Sequence, residues 1–363
     1  MGVPKVTVAF IEQALTAMQR SDRGIIMMLL KESAAERTDY TIYDVSDIPE
    51  TLTEQNQQQI KYALMGYQTS PKKILVHLMK ADTEYTEALK YIATQKWNYL
   101  VIPTVETDEK AQEIASWIKT QRTQQHKTYK AVLPNCAGDQ EGVINVTCGY
   151  TDGDGKKLTA EQTCARIAGI ICGTPLNMSV TYAPLSEAQD CDRLEPTEQD
   201  EAVDAGKLIL VWDGEKVKIC RGVTSFVTTV DGKGDSFKKI KLVEAMDMMQ
   251  DDIRTTAQDS YIGKYVNSYD NKCLLITAIN AYFQQLVREG VLGSGSCQID
   301  MEAQRLYFKG KGGKLVVNGE TKNLEDCTDQ EIKEGNTGSK VFLKADVSLL
   351  DALEDIDLNI YIG

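Results

Sequence analysis

Alternation of apolar and polar positions marks one end of this chain and is mirrored at the other. Near one end Ile356, Leu358, Ile360 and Ile362 alternate with Asp355, Asp357, Asn359 and Tyr361. Near the other, Lys5-Val6-Thr7-Val8-Ala9-Phe10 puts Val6, Val8 and Phe10 on one face. A period of two is that of a strand with one buried face, so the pattern predicts strands over about 5–10 and 356–362. A chain end stays ordered only where something ties it down. Each terminal strand therefore either completes the chain's own sheet or is added to a neighbour's, as in β-augmentation.

Between these ends the pattern changes. Ile25–Leu30 is an unbroken apolar run, too short to cross a bilayer and suited to a strand buried on both faces. Further strands are predicted at 40–45, 73–79, 97–103, 129–134 and 142–147. Helices are predicted at 53–66 with Gly66 as a stop, from a cap at Thr83, at 109–123 and at 159–172. Strands alternating with helices imply a parallel sheet with crossover helices. The acidic stretch 187–204 reads as a solvated linker, which puts a domain boundary near 200.

Beyond it, Asp213-Gly214 between apolar runs signals a hairpin over 208–220. Long helices follow at 238–262 and 271–289, the second ended by Gly290. Strands are predicted near 298–308, 314–317 and 340–345, then a short acidic helix over 348–355 and the last strand. The fold class is α/β and α+β: two domains with extended N- and C-terminal strand arms. The divisions are an arm at 1–20, an α/β domain at 21–200, an α+β domain at 201–345, and a helix-and-strand arm at 346–363.

Composition narrows the function. A net charge of −13 counts against a general nucleic-acid binder, which needs a basic face. No apolar run is long enough for a signal peptide or a membrane span, so no membrane anchoring is expected. Nine cysteines without a Cys-x-x-Cys pair point to reduced thiols in a cytoplasm and away from structural zinc. Cys164 and Cys172 sit in a helical apolar run, as small core residues do.

There are two histidines: His77 lies inside an apolar strand and reads as a satisfied core residue, His126 as solvated. Asp152-Gly153-Asp154-Gly155-Lys156 starts like a calcium loop but has Lys at the fifth ligand position and Thr163 where the closing Glu belongs. Lys309-Gly310-Lys311-Gly312-Gly313-Lys314 lacks phosphate-loop spacing and reads as a turn. No catalytic, cofactor-binding or metal-ligating residues are therefore assigned. An α/β enzyme or small-molecule binder remains the competing class, with its cleft beyond the strand ends near Pro103-Thr104 and Pro134-Asn135.

Several stretches taken together resemble the contractile tail sheath proteins of phages and phage-tail-like bacteriocins, especially the short type of Gram-positive bacteria. They are Gly2–Phe10, Ser21–Ile26, Val223-Thr224-Ser225-Phe226 with the long helices after it, and Val341–Lys344 through to Ile362. The resemblance implies a non-enzymatic subunit that polymerises helically around an inner tail tube, stays extended and metastable, and contracts to drive the tube through a cell envelope. No cofactor and no nucleic acid are involved. It implies further partners in baseplate and tail terminator proteins, assembly in the bacterial cytoplasm, and a place in a virion tail or a released particle. It makes 21–200 the outer domain and 201–345 the sheath core. Val6, Val8, Phe10, Ile356, Leu358, Ile360 and Ile362 become the residues of strands donated between subunits. Asp351, Glu354 and Asp355 on the helix at 348–355 become a tube contact. Another structural tail component is the remaining alternative.

Overall fold

The unbroken apolar run forms strand β1 (Ile25–Lys31) at the heart of a seven-stranded sheet. The computed structural model describes residues 17–32, 39–80, 84–317 and 319–362. The N-terminal strand expected at 5–10, with Val6, Val8 and Phe10, lies outside them.

The chain forms two compact units, residues 21–251 with 350–363, and residues 1–20 with 252–349. In the first, β1 is followed by β2 (Asp39–Ile42), α1 (Glu54–Leu64), β3 (Lys73–Met79), α2 (Tyr85–Ile92) and β4 (Tyr99–Val101). Next come α3 (Ala111–Thr123), β5 (Lys130–Pro134), β6 (Val143–Val146), β7 (Tyr150–Asp152), α4 (Ala160–Cys172) and β8 (Ala188–Cys191). Then follow α5 (Pro196–Asp204), β9 (Lys207–Leu208) and the hairpin of β10 (Leu210–Trp212) and β11 (Val217–Ile219), which turns at Asp213-Gly214.

The sheet order is β2-β3-β1-β4-β5-β6-β9, parallel except for β2 at one edge. Both faces of β1 are buried. Ile26, Met28 and Leu30 pack with α1 and α4, whereas Ile25, Met27 and Leu29 pack with α2 and α3. That explains the missing alternation, because a central parallel strand covered by helices on both sides needs apolar residues at every position. Small residues let α4 approach α1 closely: a Cβ on Gly169 would lie 2.2 Å from the Ala63 carbonyl oxygen.

The boundary expected near 200 is not where the units divide. Segment 187–204 is no linker: β8 pairs with β7, and α5 is opened by Pro196 and a Glu195–Glu198 capping box. Strand β9 then joins the main sheet beside β6. The division falls inside α6 (Ile240–Thr256), after Asp251.

In the second unit α7 (Tyr269–Arg288) precedes β12 (Leu292–Ile299), α8 (Met301–Gly310), the hairpin of β13 (Lys314–Val317) and β14 (Glu320–Asn323), α9 (Asp329–Glu334) and β15 (Leu343–Leu349). The strand expected over 298–308 is a helix for most of its length. Asp300 caps α8 by accepting from the Ala303 amide at 2.9 Å, and Gln304 and Phe308 turn inward one helical turn apart. Strands β12 and β15 pair with each other, antiparallel, from Leu292–Leu349 to Ile299–Leu343.

Candidate assembly interface

The acidic helix expected over 348–355 does not form. Pairing with β12 carries β15 to Leu349, and residues 350–362 contain no helix or strand. Long-range strand pairing here overrides a local helical pattern.

The three carboxylates expected to face a tube are engaged within their own unit. The Glu354 carboxylate, 5% exposed, accepts from Thr181 Oγ1 at 2.6 Å, Ser179 Oγ at 3.1 Å and Lys239 Nζ at 2.9 Å. Lys239 also donates to Asp351 at 2.5 Å, and Arg221 donates to Asp355 at 2.6 Å. Lys241 Nζ donates to the Leu350 carbonyl. Burial opposes the Lys239 charge, but its bonds to Asp351 and Glu354 outweigh it and raise its pKa. The bond from Arg221 holds the Asp355 carboxyl below its usual range.

Past this clasp the tail is bare. Ile356, Leu358, Ile360 and Ile362 are 79%, 75%, 77% and 96% exposed. Four aliphatic side chains in alternating positions, all in water, are an apolar row without a partner among the described residues. The β12–β15 pair has open edges of its own. Among the described residues, neither outer edge of that pair bonds a further strand. Most of β15 is exposed, and β12 buries only Leu292, Cys297 and Ile299. Two strands alone are marginal in water, and open edges are templates for another strand.

One feature had little signal in the sequence. On α6, Glu244 and Asp247 face Lys130 at the start of β5, at 3.0 and 2.7 Å. Arg23 and the Tyr99 hydroxyl also donate to Glu244, and Arg122 donates to Asp247 through two nitrogens. Lys130, Glu244 and Asp247 are buried. Burial alone would raise the Glu244 pKa, but Lys130 and Arg23 bring it down to about 2. A carboxylate depressed in the fold stabilises it above the ordinary value of 4.5, and that contribution fades as pH falls toward 2. This group is expected to account for about 3 kcal/mol of acid sensitivity. Glu244→Gln should flatten that part of the pH–stability curve in acid-titrated thermal melts; an unchanged slope would refute the assignment.

The places where an α/β sheet holds ligands differ in their occupancy. The strand order switches direction between β1 and β4, where such a crevice belongs. There Lys31 Nζ bonds Asp108 at 2.8 Å, and Tyr85 and Thr104 donate to the same carboxylate. The Glu161 carboxylate accepts from the Glu106 and Thr107 amides at 2.6 and 3.1 Å, filling with the chain's own side chain a spot an anion would take. Near Pro134-Asn135 a cleft of about 500 Å³ is open, lined by residues that include Asn135, Asn145, Thr147, Cys148 and Lys207. Burial pushes the Cys148 thiol up to about 12, the reverse of an activated nucleophile. His77 is satisfied but half-buried rather than in the core: Nδ1 lies 2.8 Å from Asp39 and its ring stacks on Tyr91. In the calcium-like loop, the Asp152 carboxylate accepts from the Asp154 and Lys156 amides and closes a turn. Among the described residues, no helix is long and apolar enough to cross a membrane, and no group of His, Cys, Asp or Glu is placed to hold a metal.

Comparison with known proteins bears on both units. The profile of the phage tail sheath protein central domain matches residues 80–225, and that of the phage tail sheath C-terminal domain matches 232–363. The tail sheath protein of Clostridium phage phiCD119 is 35% identical over 365 residues, covering 99% of each chain. Among solved structures, a sheath tail protein from Desulfitobacterium hafniense superposes with a TM-score of 0.69 at 19% identity, over 82% of this chain and 94% of that one. The helical sheath of the anti-feeding prophage in its contracted state gives 0.70 at 13% identity, over 99% of both chains. The chain belongs to the phage tail sheath protein family.

Proposed function

We propose that this chain polymerises helically around an inner tube, is held in an extended metastable state, and contracts to drive the tube through a cell envelope. The bare C-terminal tail carries this reading. It has the length, alternation and exposed apolar face of a strand whose partner is another subunit, and the β12–β15 edges are open to receive one. Each backbone hydrogen bond of a donated strand is worth roughly 0.5–1.5 kcal/mol net. Each buried aliphatic anchor adds about 1.5–3 kcal/mol. Such a link holds while the bodies of neighbouring subunits move past each other, and a head-to-tail contact that does not close generates a helix.

The partners under this reading are further copies of the chain, the inner tube, and baseplate and tail terminator proteins. Assembly takes place in the bacterial cytoplasm, and the product is part of a virion tail or of a released phage-tail-like particle. No chemistry is required of the subunit, because contraction draws on energy stored in the extended lattice.

Negative-stain electron microscopy of the chain, alone and co-expressed with its tube protein, tests this. Hollow striated tubes in either preparation are expected; a uniform monomer or dimer in both would overturn it. His77→Gln and Cys148→Ser are expected to leave tube formation and contraction unchanged. Loss of function by either variant in intact tubes would favour an enzyme instead.

A further inference from the structure

We infer that Glu354 is the registration pin of the donated C-terminal strand, setting which face of that strand is offered to the next subunit; this rests on the strand-donation reading above. Burial alternates along the tail up to this point: Ala352 and Glu354 are half-buried against the unit while Asp351, Leu353 and Asp355 are exposed, the period of an extended chain. In extended chain, residues two apart share a face. Glu354 is therefore the first member of the row Glu354, Ile356, Leu358, Ile360, Ile362. It is a carboxylate where the rest of the row is aliphatic.

Its surroundings are built for a carboxylate. The donors come from separate segments, Ser179 and Thr181 between α4 and β8 and Lys239 before α6, and the Arg221 guanidinium after β11 adds its charge at 3.7 Å. Thr181 Oγ1 is itself fixed, accepting from the Gly222 amide at 3.0 Å while donating to Glu354. Asp351 and Asp355 bracket the pin through Lys239 and Arg221. A slip of one residue would put Leu353 or Asp355 among these donors and turn the apolar row to the opposite face. Leu353 there would leave the half-buried Lys239 and the Ser179 and Thr181 hydroxyls facing no carboxylate, and polar groups shielded from water without partners are unfavourable. Aliphatic anchors alone would tolerate such a slip far better, because they fill pockets without directional bonds. A polar residue at one position of an otherwise apolar seam is a known means of fixing register. The clasp thus does for the arm what contacts among the exposed anchors cannot do before a neighbour arrives: it presents them in a single register.

The test uses full-length protein and reads the critical concentration for polymer formation by sedimentation. Glu354→Ala is expected to raise it on the order of tenfold or more, since the carboxylate that holds the tail to Thr181, Ser179 and Lys239 is removed. A melting curve of each monomer reports whether the unit stays folded. Two insertion variants leave the clasp intact: one serine after Asp355, or two. With a pinned register, the single insertion turns the apolar row away and impairs assembly. The double insertion restores the face and recovers assembly in large part. Equal assembly by the two insertions, or an unchanged critical concentration for Glu354→Ala, would overturn the pin. Deletion of 356–362 is the control: if that variant also polymerises, the strand-donation reading fails instead.

Discussion

Removal of residues 356–362 is expected to leave a folded subunit that no longer polymerises. Among the described residues these positions hold nothing together: their apolar side chains are in water, and the tail is anchored before them at Glu354 and Asp355. The melting temperature of the truncated subunit should therefore match that of the intact one. Assembly has much more to lose. Burying four aliphatic anchors at an interface is worth roughly 6–12 kcal/mol before the entropy of ordering the tail is subtracted. Every 1.4 kcal/mol is about a factor of ten in affinity, so even half the lower figure moves the critical concentration more than a hundredfold. Sedimentation velocity with circular dichroism reads both quantities. Truncated protein that still forms tubes would refute strand donation; truncated protein that fails to fold would show that the tail belongs to its own unit's core.

The second large effect is expected inside the unit that carries the seven-stranded sheet. Lys130→Met should destabilise it by about 3–5 kcal/mol, because it leaves Glu244 and Asp247 buried with one cation fewer. For a unit of this size that is a fall of roughly 6–20 °C in melting temperature. Methionine matches the lysine stem in volume, so packing changes little and the loss reports on charge. Arg23 and Tyr99 still bond Glu244, and Arg122 still bonds Asp247, which keeps the variant foldable. Adding Glu244→Gln should recover part of the loss, since one uncompensated charge is removed with it; neighbours in one network are not additive. A fall below about 1 kcal/mol would place this network among weak surface pairs. The network also fixes the first half of α6, the helix through which the chain leaves this unit for the other.

How much of this was legible in the sequence depends on where each signal resides. The apolar run at 25–30 and the strand–helix alternation after 72 are local, and they describe the central strand and the crossovers correctly. So does Asp213-Gly214, because a two-residue turn carries its own instruction. Misreadings arose where local composition hid a local signal or where a distant partner decided. Segment 187–204 is acidic enough to suggest a linker, yet Pro196 with Glu195 and Glu198 is a helix start in its own right. Asp300 before Met301-Glu302-Ala303-Gln304 is likewise a cap followed by good helix formers. By contrast, nothing in Ser348–Asp355 tells that β12 will take Leu349 or that Arg221 and Lys239 will hold residues 351–355 in an extended path.

The candidate site divides in the same way. The alternation from Ile356 to Ile362 is plain in the sequence, and among the described residues these side chains lie in water and form no strand. The acids before them were visible as a cluster, but their role was not, because their partners Thr181, Arg221 and Lys239 are far away in sequence. The buried network was harder still. Its one trace is the spacing of Glu244, Asp247 and Asp251 along one side of α6, which resembles any solvated helix face until Lys130 and Arg122 are placed opposite.

The most direct test of the central claim is a helical reconstruction of assembled tubes by electron cryo-microscopy, at a resolution that traces the backbone of 350–362. The expected result is residues 356–362 hydrogen-bonded as a strand along the free edge of β12 or β15 in a neighbouring subunit, with Ile356, Leu358, Ile360 and Ile362 buried there. A tail that folds back onto its own subunit, or stays unpaired in a well-ordered tube, would contradict it.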